Sequence, residues 1–294
     1  MGVVFSKINA ETARKAGNFI ELFLIIMLFF VFFDVNIKDI TKSFKNLKFS
    51  IPALTINFLW TPVFAYSLGI IFFPSQTSLQ IGFIMLMVTP CTDWYLIFTR
   101  LAKGNVTLGS SILPLNLILQ IILMPVYLFI FMKESINFDA KIIMQTIIFT
   151  LILPLTAANI IKGINFHCIT NFISKHSGNF QFILLCVAVA AMFASQGEAI
   201  TGNLIIFAKL FLPVMIFFTA VFLLSFFTGK KLGLSFRDTT SLIFTTSARN
   251  SPVALAIAII AFPSNPVISL ILVIGPLIEL PVLAIEAVIL SKKA

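Results

Sequence analysis

A short polar stretch inside an apolar segment, TPCTD at 89–93, holds the first residues of this chain that could do chemistry. A thiolate at Cys91 would be a soft ligand, suited to a thiophilic metalloid by the logic that governs soft metal ions. The alternative for Cys91 is a small buried core residue. A carboxyl group at Asp93 could bind and release a proton. Pro90 removes a helical hydrogen bond, so we expect a helix break beside these residues.

A second polar stretch, SARNSP at 247–252, interrupts another apolar segment. The guanidinium of Arg249 has a fork geometry that suits carboxylates and oxyanions. Asn250 is a candidate substrate ligand, and Pro252 predicts the second helix break. Ionisable groups at membrane depth are costly and usually face a site or a cavity. If the two breaks cross, Asp93 and Arg249 approach each other, either as a neutralising salt bridge or as part of a transport site.

The composition is that of an all-α polytopic membrane protein. The chain has 294 residues, of which 59% are hydrophobic and 11% are charged, and its mean hydropathy is +1.08. Soluble domains carry about 25% charged residues. Three cysteines are too few for a disulfide framework and lack zinc spacing, so we expect no metal site and no cofactor. The sequence contains no nucleophile–base pair and no phosphate loop, which argues against an enzyme.

The apolar pattern predicts nine membrane spans, of which the first and sixth are short for the roughly 20 residues that a spanning helix needs. Their ranges are 18–33, 51–73, 79–101, 107–132, 142–161, 180–196, 204–228, 239–261 and 267–290.

The basic residues predict the orientation of the chain rather than a nucleic-acid partner. Alternate loops and the C-terminal tail hold 13 of the 20 lysines and arginines. Because cytoplasmic loops are enriched in these residues, the C-terminus is expected in the cytoplasm and the N-terminus outside, in the plasma membrane and in contact with its lipid.

The third and eighth spans share a pattern that suggests an inverted repeat. Each has a polar break, then an apolar helix, then a short polar turn, and they run in opposite directions. The predicted repeats are 18–132, with four helices, and 142–290, with five, in one transporter domain over 1–294. Either the first helix is absent or the start codon is misplaced.

Several motifs resemble the bile acid/sodium symporter superfamily, and most closely its arsenical-resistance branch. Cys91 followed by LAKGN at 101–105 is similar to the branch's cysteine and turn, and Asn116 and Gln120 match its Asn-x-x-x-Gln pattern. Asn57 and Pro62 also fit. Three further runs follow the branch almost in order, namely FFTGKKLG at 226–233, FTTSARN at 244–250 and VIGPLIELPV at 273–282.

The resemblance implies a core domain and a panel domain with ten helices in all. Two broken helices, here the third and eighth spans, would cross near the midplane of the membrane. Rocking of the panel against the core would give alternating access. For the arsenical branch the resemblance implies export of arsenite, with proton entry as the counterflow.

Departures from the family pattern bear on the coupling ion. The branch's glutamate after the second break aligns with Pro252, and Tyr95 and Leu96 stand where the sodium-coupled branch has Ser-Asn. Thr245 and Arg249 replace a glutamate and a glutamine of that branch. Both sodium sites therefore look dismantled, and the Arg249 guanidinium is a candidate built-in cation, with Asp93 as the proton-coupling group.

Other polar residues inside spans are second candidates. Asn57, Asn116 and Gln120 would be either interhelical hydrogen-bonding residues or substrate ligands. Glu279, in the last span, would either pair with a polar group of the fourth span or relay protons. Glu286 is closer to the helix end and is expected to snorkel towards the membrane surface.

Three functions are compatible with these residues. The first is an arsenite and antimonite exporter, either proton-coupled or a uniporter, that uses Cys91. The second is a carrier for a small organic or inorganic anion held by Arg249 and the positive ends of the half-helices. The third is a membrane receptor that does not transport.

Overall fold

The computed structural model describes residues 46–92, 94–132 and 204–293, together with shorter pieces within 22–33, 153–162 and 170–187. The named elements of these ranges are all helical. In chain order they are α1 (Leu47–Thr55), a π-helical turn (Ile56–Trp60), α2 (Thr61–Phe72), α3 (Thr77–Met87), α4 (Trp94–Leu101), α5 (Val106–Ser111), α6 (Leu113–Met132), α7 (Leu204–Lys231), α8 (Phe236–Ser247), α9 (Ser251–Ala261) and α10 (Pro266–Ser291).

Four helical stretches are long and apolar enough to cross a membrane, at Leu47–Phe72, Leu113–Phe131, Ile205–Lys231 and Pro266–Ser291. They correspond to four of the nine predicted spans, with ends within about six residues of the prediction. Large apolar side chains such as Ile71 and Ile205 remain about two-thirds exposed on them, as expected of helices whose solvent is lipid tails. A helical multi-pass membrane protein follows from these observations.

The third and eighth predicted spans are each divided into two helices. The former consists of α3 and α4, and the latter of α8 and α9. The predicted spans at 18–33, 142–161 and 180–196 lie wholly or partly outside the described residues. The span count, the two repeats and the membrane orientation therefore stay predictions.

The chain divides into two compact units. The first contains Met1–Val35, Asp139–Phe207 and Leu255–Pro266. Its described aromatic rings pack on one another, since the rings of Phe30 and Phe180 stack with centroids 5.1 Å apart. The rest of the chain forms the second unit, which holds most of the described helices.

The second unit is organised around α8, whose side chains from Thr239 to Ser247 are all buried. Leu242 of α8 packs with Phe49 and Ala53 of α1 and with Ile112, which lies between α5 and α6. These four apolar side chains exclude solvent completely. This packing holds α8 against α1.

The turn after α4 is tied to the first turn of α8. Lys103 adopts a left-handed backbone conformation with φ 58°, and the side chain of Asn105 caps α5 by accepting from the Leu108 N–H at 3.1 Å. The amide of Asn105 also donates to Asp238 Oδ1 at 2.8 Å. Its carbonyl accepts from Ser241 Oγ at 2.8 Å. The second half of one interrupted helix is thereby held against the first half of the other.

Helices α3 and α10 approach closely because glycines lie at the contact. A Cβ atom added to Gly82 would lie 2.6 Å from Ile271 Cδ1, 3.0 Å from Ile271 Cβ and 3.1 Å from the Ile268 carbonyl oxygen. Two of these three atoms belong to backbone or to the rigid base of a side chain. Gly275 of α10 faces Leu86 of α3, and a Cβ atom added there would lie 2.5 Å from Leu86 Cδ2.

Substitution Gly82→Ala is therefore expected to destabilise the protein by about 1–3 kcal/mol, the usual cost of overpacking. Gly69→Ala is the matched control, because its added Cβ would meet only Ile84 and Gln80 atoms at 3.8–4.0 Å. That change is expected to be neutral or stabilising by up to about 1 kcal/mol, since alanine is the better helix former. Thermal unfolding of both purified variants in detergent measures the difference. Equal stability of the two variants would contradict the packing described here.

Candidate transport site

The two interrupted helices leave short non-helical segments within the second unit. Helix α3 ends at Met87 and α4 begins at Trp94, and Pro90 lies in the interruption. Helix α8 ends at Ser247 and α9 begins at Ser251. Pro252 is the second residue of α9, a position where proline is tolerated because its missing N–H has no helical partner. The second break itself consists of residues 248–250.

The two segments pair through their main chains in antiparallel directions. Pro90 lies opposite Arg249, and the flanking hydrogen bonds run from Cys91 N to Ala248 O at 2.9 Å and from Asn250 N to Thr89 O at 2.7 Å. The pairing requires no backbone N–H from either Pro90 or Arg249, which is why a proline fits at this position. The predicted site residues Cys91, Arg249 and Asn250 are thus brought together.

Asn250 links the first break to the helix that follows the second. Its Nδ2 donates to Thr92 Oγ1 at 3.2 Å, and its Oδ1 accepts from Val253 N at 3.3 Å. The amide side chain therefore caps the start of α9 as an N-cap residue does. The predicted substrate ligand Asn250 has a structural role among the described residues.

Arg249 is buried in the second unit, with 2% of its surface exposed. Its Nη1 donates to the Met87 carbonyl at 2.7 Å, and its Nε donates to the Ser247 carbonyl at 2.9 Å. The guanidinium carbon lies 5.1 Å from the centre of the Phe217 ring. Nη2 has no hydrogen-bond partner among the described residues.

Glu279 of α10 binds the main chain of this arginine. Its Oε1 accepts from the backbone N–H of Arg249 at 2.7 Å, and its carboxyl group interacts electrostatically with the guanidinium. The sequence-based expectation that Glu279 pairs with the fourth span is wrong, because the observed partner is in the break of the eighth. The predicted approach of Asp93 to Arg249 lies outside the described residues, since Asp93 is not among them.

Glu286 does not snorkel to the membrane surface as expected. It is 6% exposed, and its Oε2 has no hydrogen-bond partner among the described residues. Seven residues separate it from Glu279, which corresponds to about two helical turns on the same side of α10. Both acidic groups of the last helix therefore lie inside the protein.

Three further amide side chains are buried in the second unit. Asn57 lies in the π-helical turn and donates from Nδ2 to the Thr245 carbonyl of α8 at 3.2 Å. Asn116 and Gln120, four residues apart on α6, are fully buried, and none of their side-chain N and O atoms has a partner among the described residues. Helix α6 also contacts the turn through a hydrogen bond from Tyr127 OH to Phe58 O at 2.6 Å. Isolated π-helical turns occur frequently at functional sites.

Sequence reasoning missed the groups that surround the arginine. The carbonyl oxygens of Met87 and Ser247 belong to main chain and leave no signal in residue type. Phe217 is one of 34 phenylalanines, and nothing in the sequence distinguishes it from the others.

Comparison with known proteins places these features in a family. The sequence profile of the Sodium Bile acid symporter family matches residues 21–203, which is more than half of the chain. The chain belongs to the sodium bile acid symporter family. This confirms the resemblance drawn from the motifs, and the broken helices and buried charges described above belong to a membrane transporter of that family.

Curated relatives of this family member are distant. The arsenical-resistance protein Acr3 of Corynebacterium glutamicum is 24% identical over 248 residues, which cover 79% of this chain and 66% of the relative. The uncharacterized transporter slr0944 of Synechocystis is 24% identical and matches 100% of this chain and 85% of its own length. The uncharacterized protein YbaS of Bacillus subtilis is 23% identical over 248 residues, 84% of this chain and 80% of the relative. Similarity to an arsenical-resistance protein supports the branch named from the motifs.

Proposed function

We propose that this sodium bile acid symporter family member exports trivalent arsenic or antimony as a secondary transporter that does not use sodium. The observation that carries the proposal is the place of Cys91, which is buried in the paired segments where the two interrupted helices meet. A thiolate is a soft ligand for a thiophilic metalloid. The similarity to an arsenical-resistance protein supports the same substrate class.

The neutral polar groups of the second unit suit such a substrate. Arsenite is a neutral trihydroxide near neutral pH, so it needs hydrogen-bond partners rather than a counter-charge. Asn116 and Gln120 are buried and retain unused donors and acceptors. Unpaired buried amides are costly, and a polyhydroxyl solute would satisfy them. We assign these two side chains and Cys91 to substrate binding.

Proton coupling, where it occurs, would use acidic groups near the paired segments. Glu279 contacts the break of the eighth span directly through Arg249 N, and Asp93 follows Cys91 by two residues. Protonation of Glu279 would weaken its interaction with Arg249 and so alter the pairing of the two breaks. We propose these two carboxyl groups as the proton-coupling residues of an exporter, with a uniporter as the uncoupled form of the same function.

A second candidate function is transport of a small organic or inorganic anion. The specific observation in its favour is Nη2 of Arg249, which is buried and has no hydrogen-bond partner among the described residues. An anion with two oxygen atoms could accept from that nitrogen. Under this function, Arg249→Gln would destroy anion uptake and Cys91→Ser would be tolerated.

The test of the proposed function is metalloid accumulation in an arsenite-hypersensitive bacterium. Cells that express the protein are expected to hold less intracellular arsenic after an arsenite pulse than cells with an empty vector. Replacement of external sodium by choline at fixed pH is expected to leave this difference unchanged. Equal accumulation with the protein present in the membrane would contradict arsenite export and favour the anion carrier. A difference that disappears in choline would contradict sodium independence. Absence of flux for every solute, with a recoverable bound protein, would indicate a receptor.

A further inference from the structure

Five exposed lysines lie at the ends of three helices of the second unit. Lys48 is the second residue of α1, Lys230 and Lys231 are the last residues of α7, and Lys292 and Lys293 follow the end of α10. These helices begin or end the apolar stretches that are long enough to cross a membrane. The five lysines therefore lie at the depth where a bilayer has its headgroups.

Contacts between the helix ends hold these lysines close together. Lys48 Nζ lies 3.9 Å from the position that a Cβ atom would take on Gly233, two residues after the end of α7. The next residue, Leu234, packs against the apolar cluster that joins α1 to α8. Lys293 Nζ lies 6.0 Å from the centre of the Phe226 ring of α7. The start of α1 and the end of α10 thus both lie beside the last turns of α7.

The backbone that carries the lysines of α7 is held in place. Gly233 has a φ of 62°, and its N–H donates to the Lys230 carbonyl at 3.1 Å, which closes the end of the helix. A Cβ atom added to Gly229 would lie 2.6 Å from the Thr239 side chain, so the last turns of α7 pack tightly on α8. The charges are therefore mounted on a fixed backbone, and their flexible stems can adjust to a ligand.

Ordinary structural roles do not account for this concentration of positive charge. Segments 46–60, 226–237 and 288–294 contain no aspartate or glutamate, and Asp238, the next acidic residue after α7, is hydrogen-bonded to the turn after α4. A helix dipole favours cations at the ends of α7 and α10, but it disfavours Lys48 in the first turn of α1. Orientation of the chain in the membrane requires basic loops, and it does not require the lysines of three separate segments to meet.

Exposed apolar side chains beside the lysines indicate the class of ligand. Ile51, Phe227 and Val288 are 57%, 60% and 54% exposed. Each lies three or four residues further into its apolar stretch than a lysine of the group, which places it on the same face of the helix and about 5 Å deeper. A soluble phosphate would use only the charges. A phospholipid has an anionic headgroup for the lysines and hydrocarbon chains for the apolar side chains.

We propose that the five lysines form a binding site for the headgroup phosphate of an anionic phospholipid, whose hydrocarbon chains lie against the exposed apolar side chains one turn deeper. Lysine binds phosphate as a point charge, and basic pockets between spanning helices recognise anionic headgroups. The inference goes beyond the proposed function and is independent of the transported solute. A lipid bound here bridges the start of one span and the ends of two others, so it stabilises their packing.

The experiment measures lipid retained by purified protein in mixed micelles, by native mass spectrometry, together with thermal unfolding in the same micelles. Wild-type protein is expected to retain phosphatidylglycerol at concentrations at which it retains no phosphatidylcholine, and to unfold at a higher temperature with the former. Lys48→Gln is expected to weaken retention about fivefold, the effect of one lysine near an anionic surface. The variant that combines Lys48→Gln, Lys230→Gln and Lys231→Gln is expected to lose more than about tenfold, together with the thermal stabilisation.

Lys209→Gln is the matched control. Lys209 is an exposed lysine of the same helix, and it lies 22 residues before Lys231, about 33 Å away along the helix. Its Nζ binds Gln76 Oε1 at 2.8 Å, away from the lysines at the end of α7. This variant removes the same charge as Lys48→Gln and is expected to retain phosphatidylglycerol like the wild-type protein.

Equal retention of the two lipids by wild-type protein would overturn the proposal, and so would undiminished retention by the triple variant. A loss in Lys209→Gln as large as in Lys48→Gln would reveal an effect of total charge and would overturn the site. Inorganic phosphate provides the remaining comparison. If it stabilised the protein as much as the same concentration of phosphatidylglycerol, the ligand would be a soluble anion and the lipid site would be refuted.

Discussion

Cells that express Cys91→Ser are expected to accumulate as much arsenic as cells with an empty vector, although the variant reaches the membrane. Serine nearly preserves the volume of the side chain and leaves the hydrogen bond from the backbone N–H of residue 91 to the Ala248 carbonyl intact. The substitution therefore removes the soft sulfur ligand while the paired segments remain. Intracellular arsenic after an arsenite pulse measures the effect, with membrane protein levels determined in the same cells.

The two other cysteines of the chain provide matched controls. Cys168→Ser and Cys186→Ser are expected to retain the export of the wild-type protein, as is the variant that carries both changes and keeps Cys91. Export that persists in Cys91→Ser would eliminate the thiolate mechanism. It would also indicate that Asn116 and Gln120 on α6 are the main substrate ligands.

Replacement of Glu279 by leucine is expected to destabilise the protein by about 3–5 kcal/mol, because it leaves the charge of Arg249 buried without its acidic partner. Glu279→Gln should cost less, since its amide oxygen can still accept from the Arg249 N–H. The double variant Glu279→Leu with Arg249→Met is expected to be more stable than Glu279→Leu alone. Removal of both charges is often neutral, whereas removal of one is not.

Thermal or chemical unfolding of purified protein measures these differences. Glu286→Gln is the control on the same helix, because Glu286 is also buried but has an oxygen without a hydrogen-bond partner among the described residues. Loss of its charge should therefore leave stability unchanged or raise it. A change of only about 0.5 kcal/mol in the free energy of unfolding of Glu279→Leu is typical of a surface substitution. Such a result would refute the pairing with Arg249.

The sequence predicted the two helix breaks better than the contacts around them. Proline and ionisable residues in apolar segments are costly unless the chain is interrupted there. Pro90 lies within the first break, whereas Pro252, which was expected to mark the second, is the second residue of α9 and follows a break at residues 248–250. The pairing of those breaks through the main chain could not be deduced from side chains. The same limit applies to the carbonyl ligands of Arg249, because every residue has a carbonyl group and only the fold selects which ones converge.

The acidic residues of the last helix show where position along the chain misleads. Glu286 lies five residues before the end of α10, which suggested a side chain that reaches the membrane surface. The helix instead turns this side of itself towards the protein interior. Glu279 was assigned to the wrong partner for a related reason, since the face that a helix presents to each neighbour depends on tertiary packing. Periodicity within one helix does not determine that packing.

The antiparallel pairing of the two breaks separates what holds the scaffold from what selects the solute. Its two flanking hydrogen bonds join only backbone atoms of Thr89, Cys91, Ala248 and Asn250, so most substitutions at these positions would leave them in place. Side chains in the two paired segments can therefore change during evolution while the backbone pairing is kept. This chain and its relatives share about a quarter of their residues. At such divergence, a few substitutions in the paired segments could change the transported substrate while the fold is kept.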